Sequence, residues 1–181
     1  SEAGGFLKTD QSLDRPDIQH HFVIGLIDDH LRKLHYGYGY SCHVCLLRPY
    51  SRGTVSLASA KHNDAPLINP NFLNDNRDVE TLIKGAKMTQ NILNTPPLKK
   101  YQKREIYGVH SNLTDKEWEQ HIRNRADTIY HPVGTCKMGK DPLAVVNSSL
   151  KIRGLKNIRV ADASIMPTIT SGNTNAPTIM I

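Results

Sequence analysis

His131 stands in HPVGTCKMG (131–139), beside a proline and after a charged, helix-like stretch. An imidazole placed there can take a proton from a hydroxyl near neutral pH, bind a metal, or sit in a core with its ring nitrogens satisfied. The metal role has the least support, because no other His, Cys or carboxylate falls at ligand spacing around it. Pro132 fixes the neighbouring backbone and disfavours helical geometry at His131 itself. Asp162 closes an apolar run in VADASIMP (160–167), and an acid followed by small residues is a common way to leave a strand at a ligand-facing edge. Asn173 lies in the polar turn SGNTNAP (171–177), where an asparagine reads as a turn cap as readily as a functional amide.

Other reactive residue types are less informative. Cys42 and Cys45 form CHVC, the spacing of a redox or metal pair, but YSCHVCLLRP is rich in strand formers and strand residues three apart face opposite sides. Cys136 is expected to pack rather than react, and Lys137 and Lys140 to be solvated. His20, His21, His35 and His43 sit among strand-like segments, and nothing in the sequence selects one of them.

The elements that must carry these residues are partly legible. IQHHFVIGLI (18–27), YGYSCHVCLLRP (38–49) and GTVSLASA (53–60) read as antiparallel strands, with YSRG as a hairpin turn between the last two. LINPNFLND (67–75) reads as a connection. Val79, Leu82, Ile83, Ala86 and Leu93 then recur at helical spacing from about Asp75, and NTPP (94–97) stops that helix. A second helix is predicted from the capping box TDKE, Thr114 to Glu117, to about Ala126. LKIRGLKNIRVAD (150–162) gives two short apolar segments, the second a strand ending at Asp162. Pro177 is expected to open a helix, and the sequence stops inside the apolar run that follows. That ending, and a sheet with no evident partner layer, lead us to expect a chain that stops short at both ends.

Composition bounds the rest. With 181 residues, 38% hydrophobic and 22% charged, the chain can form one domain or parts of two. Three sparse cysteines fit a reducing compartment, and the cytoplasm is the expected location. No apolar run approaches the roughly 20 residues that span a bilayer, and SEAGGFLKTDQ has neither the basic nor the apolar region of a signal peptide. The net charge of +6 comes from scattered Lys and Arg without interleaved aromatics, so nucleic acid is not an expected partner.

Taken together, HPVGTCKMG, LKIRGLKNIRVADASIMP (150–167) and SGNTNAPTIMI (171–181) resemble the glucose-methanol-choline (GMC) flavoprotein oxidoreductases. RPDIQHHF (15–22), HVCLLRPYSRGTVSL (43–57) and INPNFL (68–73) resemble the same family's substrate domain, and the likeness is strongest to the choline dehydrogenase and acceptor-linked alcohol dehydrogenase branch. The resemblance implies an α+β or α/β piece of a two-domain FAD-binding fold. Residues 1–130 would belong to the substrate domain, as an antiparallel sheet with helices, and 131–181 would return to the FAD domain with its last strand and a helix start. The Gly-x-Gly-x-x-Gly dinucleotide fingerprint of the family is absent from this sequence.

The activity implied is oxidation of a primary alcohol, aliphatic or choline-like, to the aldehyde. His131 falls on the family's catalytic base and Asn173 on its second catalytic position. Asp162, Ala163, Asn173, Thr174 and Asn175 fall on its cofactor contacts, and no metal is implied. FAD would take the hydride, a quinone-type acceptor the electrons, and the basic charge could aid peripheral contact at the inner face of the membrane. The alternative reading is a non-catalytic fragment or a basic binding module.

Overall fold

The computed structural model describes residues 1–29, 33, 35–107 and 112–181. They form two compact units, Ser1–Leu46 with Asp75–Asp127, and Leu47–Asn74 with Thr128–Ile181. Segment 47–74 therefore packs with the C-terminal stretch.

The first unit holds strands β1 (Ala3–Leu7), β2 (Ile18–Val23) and β3 (Ser41–Leu46), an antiparallel sheet in the order β1-β2-β3. The register sets His21 opposite His43 and His20 opposite Val44. Helix α1 (Asn76–Leu93) covers the face that carries Ile18, His20 and Val44. It comes so close that a Cβ built at Gly85 would lie 2.9 Å from Val44 Cγ2, so only glycine allows this approach. Ile18, Val79, Leu82, Ile83, Trp118 and Ile122 are the buried apolar side chains of this unit.

Asp75 caps α1 by accepting from the Arg77 N–H at 3.0 Å. NTPP does end α1, and Pro96 then opens one more turn, α2 (Pro96–Lys99), with proline in the first position, where a missing N–H costs nothing. Helix α3 (Asp115–Arg125) starts at the predicted capping box: the Thr114 N–H donates to Glu117 Oε2 at 2.7 Å, and the Glu117 N–H donates back to Thr114 Oγ1. Lys87 of α1 pairs with Asp115 of α3. None of the described helices is long and apolar enough to cross a membrane.

In the second unit, β4 (Thr54–Ser56) pairs antiparallel with β5 (Leu67–Asn69). This corrects the hairpin expected at YSRG, because β3 pairs with β2 and β4 with β5. Gly53 serves a close backbone approach instead: a Cβ there would lie 2.2 Å from the Asn69 carbonyl oxygen. β1 and β5 were not foreseen.

Residues 137–160 are joined by isolated bridges, Met138 to Val146, Val146 to Ile152 and Lys151 to Arg159, rather than by the continuous strand expected before Asp162. Gly154 and Asn157, with φ of 79° and 61°, reverse the chain too tightly for longer ladders. Asp162 instead caps a 3₁₀ turn, Ala163–Ile165, and the chain ends in α4 (Asn175–Met180). Pro177 is the third residue of α4, not the first, because the Thr174 carbonyl already accepts from the Thr178 N–H at 3.0 Å.

Candidate active site

Backbone hydrogen bonds lock two of the three motif stretches together. The Cys136 N–H donates to the Ser164 carbonyl at 3.0 Å and the Met138 N–H to the Ile165 carbonyl at 2.8 Å, which ties the loop after His131 to the turn after Asp162. Gly134 makes that loop possible with φ of 94°, a conformation L side chains resist. Ala144, Val146, Ile165 and Met166 are buried beneath it.

The third stretch meets His131 directly. Asn173 Nδ2 lies 2.6 Å from His131 Nε2, and Thr174 Oγ1 lies 3.0 Å from His131 Nδ1. The Thr174 N–H also points at Nδ1, at 3.3 Å. Both ring nitrogens therefore have partners from adjacent residues of one turn, and the ring has a fixed orientation. Thr174 is buried, His131 half-buried and Asn173 exposed, so the pair opens outward on the Asn173 side. An imidazole and an amide so arranged can hold one hydroxyl oxygen at two points, taking its proton at Nε2 and donating to it from the amide.

Arg48 secures the turn that carries Asn173. Its Nη1 donates to Ser171 Oγ at 3.0 Å, and Ser171 itself takes φ of 66°. No pattern in the sequence points to Arg48, because the contact joins residues 123 positions apart. Thr174 was foreseen only as a cofactor contact, and its hydroxyl turns toward His131.

The remaining candidates stand as follows. Asp162 Oδ1 accepts from the Ser164 N–H at 2.7 Å, and hydrogen bonding from the Ser164 side chain, then from this N–H, holds the carboxyl below its ordinary range. Ala163 begins the 3₁₀ turn. Asn175 and Ala176 open α4, and the N-cap residue Thr174 makes no side-chain cap to them. His20, His21, His35 and His43 all belong to the first unit. His20 Nε2 meets Thr89 Oγ1 at 2.8 Å, and burial pushes both His20 and His43 down from the usual imidazole value. His35 Nε2 lies 2.9 Å from Asp28.

Cys42 opposes Phe22 and Cys45 opposes Gln19, and residues three apart on a strand alternate faces, so the two thiols face opposite sides of the sheet. Burial pushes Cys45 up to about 11, which leaves it a poor nucleophile. Among the described residues no group of three His, Cys, Asp or Glu side chains is placed to hold a metal ion.

A half-buried imidazole paired with an amide, on loops locked by their own backbone, can take up the proton of a hydroxyl group. The sequence pattern of the GMC oxidoreductases matches residues 49–181, and the chain belongs to that family. It is 52% identical over 181 residues to an alcohol dehydrogenase [acceptor] of Pseudomonas putida, which covers all of this chain and 33% of that protein. It is 41% identical to the mitochondrial choline dehydrogenase of Mus musculus, covering 99% of this chain and 30% of the relative. The chain thus spans about a third of the length of these curated relatives. The crystal structure of pyridoxine 4-oxidase from Mesorbium loti superposes with a TM-score of 0.86 at 30% identity, covering 97% of this chain and 35% of that one.

Proposed function

We propose that this chain carries the proton-transfer half of an FAD-dependent alcohol dehydrogenase acting on a primary aliphatic or choline-like alcohol. The observation that carries the reading is the 2.6 Å contact between His131 Nε2 and the Asn173 amide. The relatives named as alcohol and choline dehydrogenases support the substrate class.

The substrate hydroxyl replaces the direct amide–imidazole contact, donating to Nε2 and accepting from Asn173 Nδ2. As the O–H bond breaks its proton goes to Nε2, and the amide N–H stabilises the charge left on oxygen. The carbinol C–H bond then breaks with its electron pair as the aldehyde forms. FAD, when bound, supplies the hydride acceptor that no side chain provides.

The residues present fit such a group. Thr174 leaves the first N–H groups of α4 without a side-chain cap, as donors suited to an electron-rich ring edge, and Asp162 with Ala163 would hold it from the 3₁₀ turn. On this reading 1–130 belongs to a substrate domain, its segment 47–74 packed with the flavin-domain stretch 131–181, and electrons leave to a quinone-type acceptor at the inner face of the membrane.

The test is His131→Ala in the full-length enzyme. Flavin should stay bound, while its anaerobic reduction by alcohol slows by at least ~10²-fold, the size of a general-base contribution. Unchanged single-turnover reduction would remove His131 from the mechanism. Quinone-linked turnover measured against peroxide production tests the acceptor.

A further inference from the structure

We infer that the Thr174 hydroxyl is a positioning residue that selects the tautomer of His131 able to act as a base. The inference rests on the proposed role of His131 and concerns the ring nitrogen away from the substrate.

A neutral imidazole carries one proton, so one nitrogen donates and the other accepts. For Nε2 to take the alcohol proton it must be bare, which puts the ring's own proton on Nδ1. That proton needs an acceptor. Thr174 presents two groups to Nδ1, a hydroxyl at 3.0 Å that can donate or accept, and a backbone N–H at 3.3 Å that can only donate. The N–H fits only a bare Nδ1, whereas the hydroxyl fits either tautomer and is the one group of the two that can accept a proton carried on Nδ1.

On the far side of the ring, Nε2 faces the nitrogen of the Asn173 amide at 2.6 Å, and an amide N–H seeks a bare Nε2. That arrangement requires the proton on Nδ1 and Thr174 Oγ1 as its acceptor. The Oγ1 has no competing duty as a helix cap, since Thr174 makes no side-chain bond to the first turn of α4. Thr174 is only 6% exposed, so water has little access to replace it.

Removing the hydroxyl while keeping the shape, by Thr174→Val, leaves a pure donor facing Nδ1. The neutral ring then moves its proton to Nε2, where it blocks acceptance of the alcohol proton. Thr174→Ser keeps the acceptor.

The experiment is two-bond 15N–1H spectroscopy of full-length, FAD-loaded enzyme with 15N-labelled histidine, His131 being assigned by its loss in His131→Gln, together with stopped-flow flavin reduction. The expected result is an Nδ1–H ring in the wild type and in Thr174→Ser. Thr174→Val should show an Nε2–H ring and reduce flavin roughly 10²-fold more slowly at saturating alcohol, its flavin absorbance unchanged. An Nε2–H ring in the wild type, or an Nδ1–H ring in Thr174→Val, would overturn the inference. The spectrum reads the tautomer without turnover. A full rate in His131→Gln would therefore sink the base reading and leave the tautomer result standing.

Discussion

Asn173 is the residue whose worth is easiest to isolate, because it touches His131 with its side chain while the neighbouring Thr174 supplies the burial. Its amide can donate to oxygen but cannot take the proton, so it does not compete with the base. Asn173→Ala should lower the rate of flavin reduction by about 10²-fold or more, the cost of losing one donor to a developing oxyanion. Stopped-flow reduction with saturating alcohol measures it, and a rise in KM with the limiting rate unchanged would show that the amide only binds substrate. At this scale His131 and Asn173 were legible through motif resemblance alone. By composition alone His131 reads more readily as a structural histidine than as a base, and Asn173 reads as a turn cap as readily as a functional amide. Arg48 and the Thr174 hydroxyl were not legible, since nothing local marks a side chain whose partner arrives from distant sequence.

Elements were legible where their signals are local. The periodicity of Val79, Leu82 and Ile83 and the Thr114–Glu117 box placed α1 and α3 to within a residue or two, because a 3.6-residue stripe and a reciprocal cap are properties of short windows. Strand pairing is a long-range choice, and it was misjudged. β1 is the glycine-bearing AGGFL, poor in strand formers, and β5 is three residues ending just before Pro70. The caps themselves are testable. Thr114→Ala should cost about 1 kcal/mol in urea unfolding, with an unchanged midpoint arguing against the box.

Asp75 adds a pH dependence to the start of α1. Hydrogen bonding from the Arg77 side chain, and then from its backbone, lowers the carboxyl from the ordinary 3.8 to about 2. A depressed folded value stabilises the fold above the unfolded value, and the contribution is lost as pH falls from about 4 to about 2. The thermal midpoint of wild type should therefore fall more steeply across that window than that of Asp75→Asn. Parallel curves would show that the cap contributes nothing.

At the scale of the whole molecule, the question is what a chain spanning a third of its curated relatives can hold by itself. A dinucleotide needs a glycine-rich turn that aims the free N–H groups of a helix at its pyrophosphate. The sequence contains no Gly-x-Gly-x-x-Gly. Among the described residues, the two longer helix starts are already occupied by acidic caps, Asp75 on α1 and the Thr114–Glu117 box on α3. Of the two short starts, α2 opens on Pro96 and Pro97, which carry no N–H, and α4 belongs to a helix of six residues next to His131 and suits a ring edge rather than a diphosphate. Residues 1–181 expressed alone should therefore emerge from gel filtration without flavin absorbance. The same residues joined to the other two-thirds of a relative's length should bind FAD at one per chain. Stoichiometric flavin on the isolated 181 residues would show that the pyrophosphate is held by groups other than a glycine-rich helix start, and would move the cofactor site away from the turn that joins Asn173 to α4.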